Sequence, residues 1–492
     1  MNMLKKILAI LISLMMMTGA VTAFAEGNPP GDPPSGEMGT PPDGMPGEPP
    51  EDGMGTPPDG MPGEPPEGGM GTPPDGAPGG GFGGNAGPGG RTSSFEYAAA
   101  TEMTEAASVS GETYTSETAD ESAVMVNTDA EVSLENVTVT KTGNSDGGDN
   151  CNFYGLNAAV LVMGGSTTTI TGATITSDAS GANGVFSYGG NGASNGADGD
   201  GTTVIISDST ITTTGNGSGG IMTTGGGTTY ATNLTVETSG GSSAPIRTDR
   251  GGGTVVVDGG TYTSNGLGSP VIYSTADITV SNATLVSNLS EGVCIEGKNS
   301  ITLIDCDMTA NNTSMNGNAT FLDTIMIYQS MSGDADSGTS AFTMTGGTLT
   351  GQSGHLFHVT NTNAVINLSG VTLVNEGSDV LISVCDDGWS GAGNIATMNC
   401  DTQSLEGTLL VGDNASLTLN LTNGSTFEGT VSGEITNARG TVVSTEVGTV
   451  NVTLDESSTW TLTADTYITS FEGNVENVLG DYTLYVNGTA GN

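Results

Sequence analysis

The stretch ITVSNATL, residues 278–285, decides the fold. Ile278 and Val280 alternate with Thr279 and Ser281, as on a strand with one buried face. Asn282 is a turn former, Ala283 is small, and Thr284 and Leu285 restart the alternation. The same eight-place frame reads VSLENVTV at 132–139, TTITGATI at 168–175, VIISDSTI at 204–211, TYATNLTV at 229–236 and VVVDGGTY at 255–262. It returns as ITLIDCDM at 301–308, FTMTGGTL at 342–349 and, with one extra residue, VINLSGVTL at 365–373. The small positions Val137, Ala173, Ser209, Leu234, Gly260, Ala283, Cys306, Gly347 and Val371 follow one another at 36, 36, 25, 26, 23, 23, 41 and 24 residues. Intervals of 23 to 26 suit one three-sided coil, and the longer ones suit a coil with an inserted loop.

A second apolar strand precedes each frame after the first, as in AVLVM from 159, GVCIE from 292 and HLFHV from 355. One coil cannot bury its apolar positions alone, whereas stacked coils bury them along a common axis. The expected fold is therefore all-β, a right-handed parallel β-helix solenoid. It occupies residues 93–435, with terminal coils and a cap over 436–492; Phe427 and Trp460 are expected to cap the stack. No stretch carries a helical period.

Outward from the solenoid the texture changes. Residues 26–92 hold 18 of the 20 prolines and repeat a 16-residue Met/Pro/Gly unit, so a disordered linker is expected there. Residues 1–25 read as a signal peptide, with Lys5 and Lys6, an apolar run over 7–17, and Ala23-Phe24-Ala25. Export to a secreted or cell-surface location follows, without a membrane span after cleavage.

Beyond residue 25, six bases face 54 carboxylates (8 Lys plus Arg less Lys5 and Lys6). That balance excludes nucleic acid and anionic lipid as partners. It suits divalent cations, so Ca²⁺ is the one cofactor entertained and no other is expected. The five cysteines, at 151, 294, 306, 385 and 400, follow neither a zinc nor a disulfide pattern, and buried free thiols are expected.

Two arrays carry the functional reading. The residue after each small position is Thr in eight of the nine frames, with Asp307 the exception, and Thr often recurs two places on. The array resembles ice-binding faces of β-helical antifreeze proteins, yet Thr is also simply a good exposed strand former. The second array follows the apolar strand of each coil. Asp249, Arg250, Tyr273, Glu296, Lys298, Tyr328 and Gln329 fall there, with Asp334 and Asp336 in an inserted loop at 330–338; Tyr188, His358, Asp386, Asp387 and Trp389 share the corner. Aromatics beside charged groups suit a glycan groove. The rival reading pairs Arg250 with Asp249 or Asp334 to pin the loop. Asn127-Thr128-Asp129 and Asp386-Asp387 resemble motifs of polygalacturonases, but most of the solenoid separates them. His355 and His358, three apart on a strand, should face opposite ways and share no metal.

Tyr154-Gly155-Leu156-Asn157-Ala158-Ala159, the run from Tyr328 to Asp336, and Trp460-Thr461-Leu462-Thr463 resemble exported adhesin-like β-helix proteins of Gram-positive anaerobes, over about residues 95–470. The resemblance implies a surface protein binding polysaccharide or host glycan without catalysis. The alternative is a polysaccharide lyase or glycoside hydrolase acting on an acidic polysaccharide.

Overall fold

The computed structural model describes residues 95–145, 147–191 and 198–491. The expected signal peptide and Pro/Gly-rich linker lie outside the described residues. What is described is a parallel β-helix solenoid. One wall, the first face, is a 15-stranded sheet in which strands such as Val160–Met163, Val185–Tyr188 and Ile221–Thr224 pair in parallel with the next coil. The frames build the other two walls. Thr203–Ser207 and Thr210–Thr213 are one such pair of strands, and Gly227–Thr238 and Gly253–Ser264 run through both walls and join them into one sheet.

The bend inside each frame has a single cause. Its fifth position, held by Asn136, Gly172, Asp208, Asn233, Gly259, Asn282, Asp305, Gly346 and Gly370, has φ between 50° and 72°. Only Gly, Asn and Asp adopt that left-handed conformation at little cost. The next residue then points inward: Val137, Ala173, Ser209, Leu234, Ala283, Cys306 and Val371 are at most 5% exposed. At Gly347 a side chain is excluded, because a Cβ would lie 2.0 Å from the Cys306 carbonyl oxygen.

Outside, the threonines stand in register. Thr113, Thr138, Thr174, Thr210, Thr235, Thr261, Thr284, Asp307, Thr348 and Thr372 form one row. The parallel row two residues on is broken by Glu237, Val286 and Val374. A corner ladder adds axial stitching: the N–H groups of Ala182, Ser218 and Ser243 donate to the hydroxyls of Ser218, Ser243 and Ser269 in turn, each at 2.9 Å.

Towards the C-terminus the coil loses a side. The third-wall strand Thr372–Asn375 pairs with Thr348–Gly351 behind it. In the next coil a single strand, Ser404–Val411, runs from the bend straight into the first face, where it pairs with Val380–Val384. Phe427 and Trp460 do not cap the stack. Their rings stack 5.6 Å apart inside the core, 1% and 0% exposed, and Val478 of a further coil pairs with Trp460. Their frames keep the inward parity of earlier coils, which places both rings within. A small three-stranded sheet, Thr466–Ile468, Leu484–Val486 and Thr489–Ala490, follows.

One helix was not legible: Asp149–Tyr154, inserted before the first-face strand Val160–Met163. Six residues are too few for a helical period to register, and Gly155 in the left-handed region ends it. All five cysteines are buried, and no disulfide joins any two of them. Among the described residues no helix is long and apolar enough to cross a membrane.

Candidate functional site

From Val160 to Val384 almost every first-face residue is buried, on both sides of the sheet. Inserted segments fold back over its outer surface. Around the early coils Phe153 and Tyr154 of the short helix cover Leu161, Phe186 and Met222. The outer row then turns polar: Arg247, Tyr273, Cys294, Met326, His358 and Ser383 succeed one another in register. Tyr273 therefore belongs to this row, two places before the row that holds Glu296 and Tyr328.

The corner read as a glycan edge is closed over. Asp249, Tyr273, Glu296, Tyr328 and Gln329 are all buried. Glu296 is the hub. Its Oε2 accepts from the Tyr273 hydroxyl at 2.6 Å and the Tyr328 hydroxyl at 3.1 Å; its Oε1 accepts from Ser330 and, at 3.2 Å, from Ser332. Burial pushes the Glu296 carboxyl above its ordinary pKa, and the donors from Ser330 and Tyr273 only partly offset this. Arg250 donates through Nε and a terminal nitrogen to Asp334 at 3.1 and 2.6 Å, and lies 4.2 Å over the Phe153 ring. Lys298 pairs with Asp336 at 2.8 Å, half exposed. Each base meets one carboxylate of the 330–338 loop, and the Asp334 that Arg250 meets is one of the two partners the rival reading names. Gln329 donates to the Ala335 carbonyl and completes the clamp.

Arg247 is the residue that sequence reasoning passed over. It is 6% exposed, donates to Asp249 at 2.8 Å and to the Ser242 carbonyl at 2.9 Å, and reaches Asn152 of the short helix at 3.3 Å. Burial lifts the Asp249 pKa to about 7, the Arg247 charge opposing and the Asp334 charge adding to it. Arg247 sits on a strand, PIRTD, whose alternation marks an outward residue, but only the fold-back of distant segments makes outward mean buried.

Further along lies an array with acid–base polarity. His355 Nδ1 and His358 Nδ1 lie 2.8 and 2.7 Å from Ser383 Oγ, and His358 Nε2 lies 3.2 Å from Asp387 Oδ2. The two histidines thus share a partner, against the expectation that they face apart. Leu356 and Phe357 both enter the core where the chain turns into the first face, so strict alternation is lost between the histidines. Asp387 Oδ1 accepts from the Thr320 N–H and hydroxyl and from the Gly388 N–H. Burial raises the Asp387 pKa, but His358 and these donors outweigh it and hold the group below its ordinary value. An ionised Asp387 only accepts, so His358 turns an Nε2–H to it, and Ser383 Oγ bridges the Nδ1 atoms of the two histidines. Burial, with His358 beside it, depresses the His355 pKa to about 3, so it stays neutral.

That order resembles a nucleophile–base–carboxylate relay, yet Ser383 Oγ is engaged by both histidines within it. His358 and Ser383 are wholly buried. Phe321 covers both imidazoles, ring centres 4.8 Å from His358 and 5.4 Å from His355. The antiparallel hairpin Ile435–Thr436/Val442–Ser444 locks the cover, with Ala438 N–H on the Thr320 carbonyl at 2.9 Å and Arg439 on the Ala319 carbonyl at 3.2 Å. Nearby, burial holds Asp323 well above and Glu291 above the usual carboxylate range. Among the described residues no group of three or more His, Cys, Asp or Glu gathers as metal ligands.

The outer side of the frame sheet is open. Asn367, Asn399 and Asn420 stack in register behind Thr343, each Asn amide donating to the residue behind at 2.9–3.1 Å. With Thr345, Ser369, Asp401 and Thr422 they line a shallow groove of about 270 Å³. Fold and surface together define a parallel β-helix solenoid with one sealed wall and one open polar wall. No protein-family model matches the chain, and no curated protein matches it.

Proposed function

We propose that this is an exported, adhesin-like solenoid that binds a neutral or weakly charged polysaccharide or surface glycan without catalysis. The observation that carries the reading is the half-buried Asn367–Asn399–Asn420 ladder that faces solvent along its groove. It offers amides and hydroxyls at the spacing of stacked strands, ~4.8 Å, to the hydroxyls of a sugar chain. The sealed wall supports the non-catalytic half, since Arg247, Arg250, Lys298 and His358 each meet a carboxylate and Glu296 is held by four hydroxyls. The fold alone is equally compatible with a polysaccharide-acting enzyme.

The test is a glycan array run beside an assay for newly released reducing ends. Binding with no release is expected. Replacing Asn399 and Asn420 together by Ala removes amide contacts worth about 1–3 kcal/mol in sum, so affinity should fall roughly tenfold. Release of reducing ends, or affinity indifferent to the double substitution, would overturn the reading.

A further inference from the structure

The place where the solenoid changes from three walls to two leaves a gap in its hydrogen-bonded ladder. Thr372–Asn375 pairs on one edge with Thr348–Gly351, and among the described residues no strand pairs with its other edge. The two sides of the gap are tied at its ends. At one end the buried Gln403 side chain stands in for a strand rung: its Oε1 accepts from Val371 N–H at 2.9 Å and its Nε2 donates to the Val371 carbonyl at 2.8 Å. At the other end Thr408 N–H donates to the Asp379 carbonyl at 2.7 Å. Between the ties Thr372–Asn375 and Ser404–Gly407 part around a cleft of about 380 Å³. That volume lies within the range of small ligand sites.

The lining is specific in kind. Thr372 N–H points back to Gly347, so strand alternation directs the N–H and C=O of Leu373 and Asn375 to the open edge. Leu356, Leu381 and Leu405, each buried, form an apolar floor that belongs to the solenoid core. Asp379 and Glu406 are exposed at the rim. Asn375 also lines the cleft, and its side-chain Oδ1 is an inaccessible acceptor without a donor.

We propose that this cleft binds a short extended peptide of a cationic partner by strand addition: its backbone pairs with the Leu373 and Asn375 edge, one apolar side chain enters over the leucine floor, and flanking Lys or Arg side chains meet Asp379 and Glu406. Alternating backbone donors and acceptors complement another strand, as in other strand-addition sites. The edge, at ~3.3 Å per residue, matches about four extended residues. The chain's own Pro-rich segment does not suit the cleft. It is acidic, and its prolines lack the N–H groups the edge needs. A second copy, with the same net charge of −46, is disfavoured by repulsion at the rim.

The probe is fluorescein-labelled acetyl-Lys-Ile-Lys-Val-Lys-amide, together with the set in which Ile and Val are exchanged for Leu and Phe, titrated into the full chain by fluorescence anisotropy. At least one member should bind saturably. The same peptide N-methylated at alternate residues keeps charge and side chains but loses the rungs, and should bind at least about tenfold weaker. Leu373→Pro deletes the edge N–H without touching the ladder behind it and should weaken binding similarly. Asp379→Asn with Glu406→Gln, which leaves the fold alone, should weaken it several-fold and flatten its salt dependence. Strand circular dichroism checks that Leu373→Pro folds; if it does not, the methylated peptide and the rim variant decide. Three results would overturn the proposal: no binding by any member at millimolar peptide, equal binding of the methylated peptide, or a concentration-dependent dimer that the rim variant strengthens and whose formation excludes the peptide.

Discussion

The outer side of the first face and the outer side of the frame sheet are built from the same repeating coil, yet they have opposite fates. The frame sheet keeps its threonines and asparagines in water, row on row. The first face carries arginines, histidines, tyrosines and carboxylates, and all but a few vanish beneath inserted segments. The difference lies in the loops. Short bends between the frame strands leave no chain to cover them. The long connections of the first face, 142–159, 311–322, 330–338 and 386–393, supply a second layer. Polarity in the sequence therefore marks exposure on one wall and a buried network on the other.

The comparison breaks most easily at the relay. His358→Ala would leave the wholly buried Asp387 carboxylate without its charged-capable partner. Removing one member of a buried pair costs about 3–5 kcal/mol. The urea midpoint should drop accordingly, and an unchanged midpoint would mean that the cover is dispensable. Next in size is Arg250→Ala, which removes two donors to Asp334 and the stacking on Phe153. A loss of about 1.5–3 kcal/mol is expected, with new protease cleavage inside 330–338 as the local readout. Glycan affinity, measured on folded protein, should not change.

The same wall should respond to acid. The folded His355 pKa lies near 3 against an ordinary 6.5. Between those values the unfolded chain binds a proton that the folded chain refuses, so stability falls as pH drops through that window. The lowered Asp387 pKa acts in the same direction, its contribution being lost as pH falls through the range in which the unfolded carboxylate protonates. Asp249, raised to about 7, opposes them by gaining stability as pH falls from there towards its ordinary value. His355→Gln isolates the first effect: its midpoint should fall less between pH 6.5 and pH 4 than that of the parent chain, and parallel slopes would refute the neutral-His355 assignment. Smallest of all is Thr261→Ala on the open wall. An exposed ladder position away from caps and networks should change stability by no more than ~0.5 kcal/mol, and a larger loss would show the open ladder to be structurally coupled.

The walls differ too in how far they could be read from the chain. The frame sheet was legible because each place has a local cause: Asn282 for the bend, Ala283 for the inward step, Thr284 for the outward one. The parity of the first face was legible only within each strand. His355 and His358 misled because two consecutive residues, Leu356 and Phe357, enter the core at the corner. The partners of Arg250, Glu296 and Asp387 sit in inserted loops, and nothing in a coil's own pattern says which loop will lie on it. Ser383 carried no signal, being one polar residue in an apolar strand. Arg247 carried a weak one, as a base at an outward place beside a proline.

The clamps over the first face join residues far apart in the chain. Arg250 and Asp334 are 84 residues apart, Arg247 and Asn152 are 95, Thr320 and Asp387 are 67, and Ala319 and Arg439 are 120. The coils themselves need only their neighbours, a mere two dozen residues away. Closing a long loop costs entropy that must be met before its contacts form. The order of assembly follows. Coils can stack one upon another as the chain is delivered, while the Arg439 latch cannot engage until more than four hundred residues are in place. A chain stopped short of that hairpin would hold a well-formed spiral whose Phe321 cover over the histidines lacks its lock. Closure of the sealed wall is thus a late step, one that waits for the hairpin at 435–444.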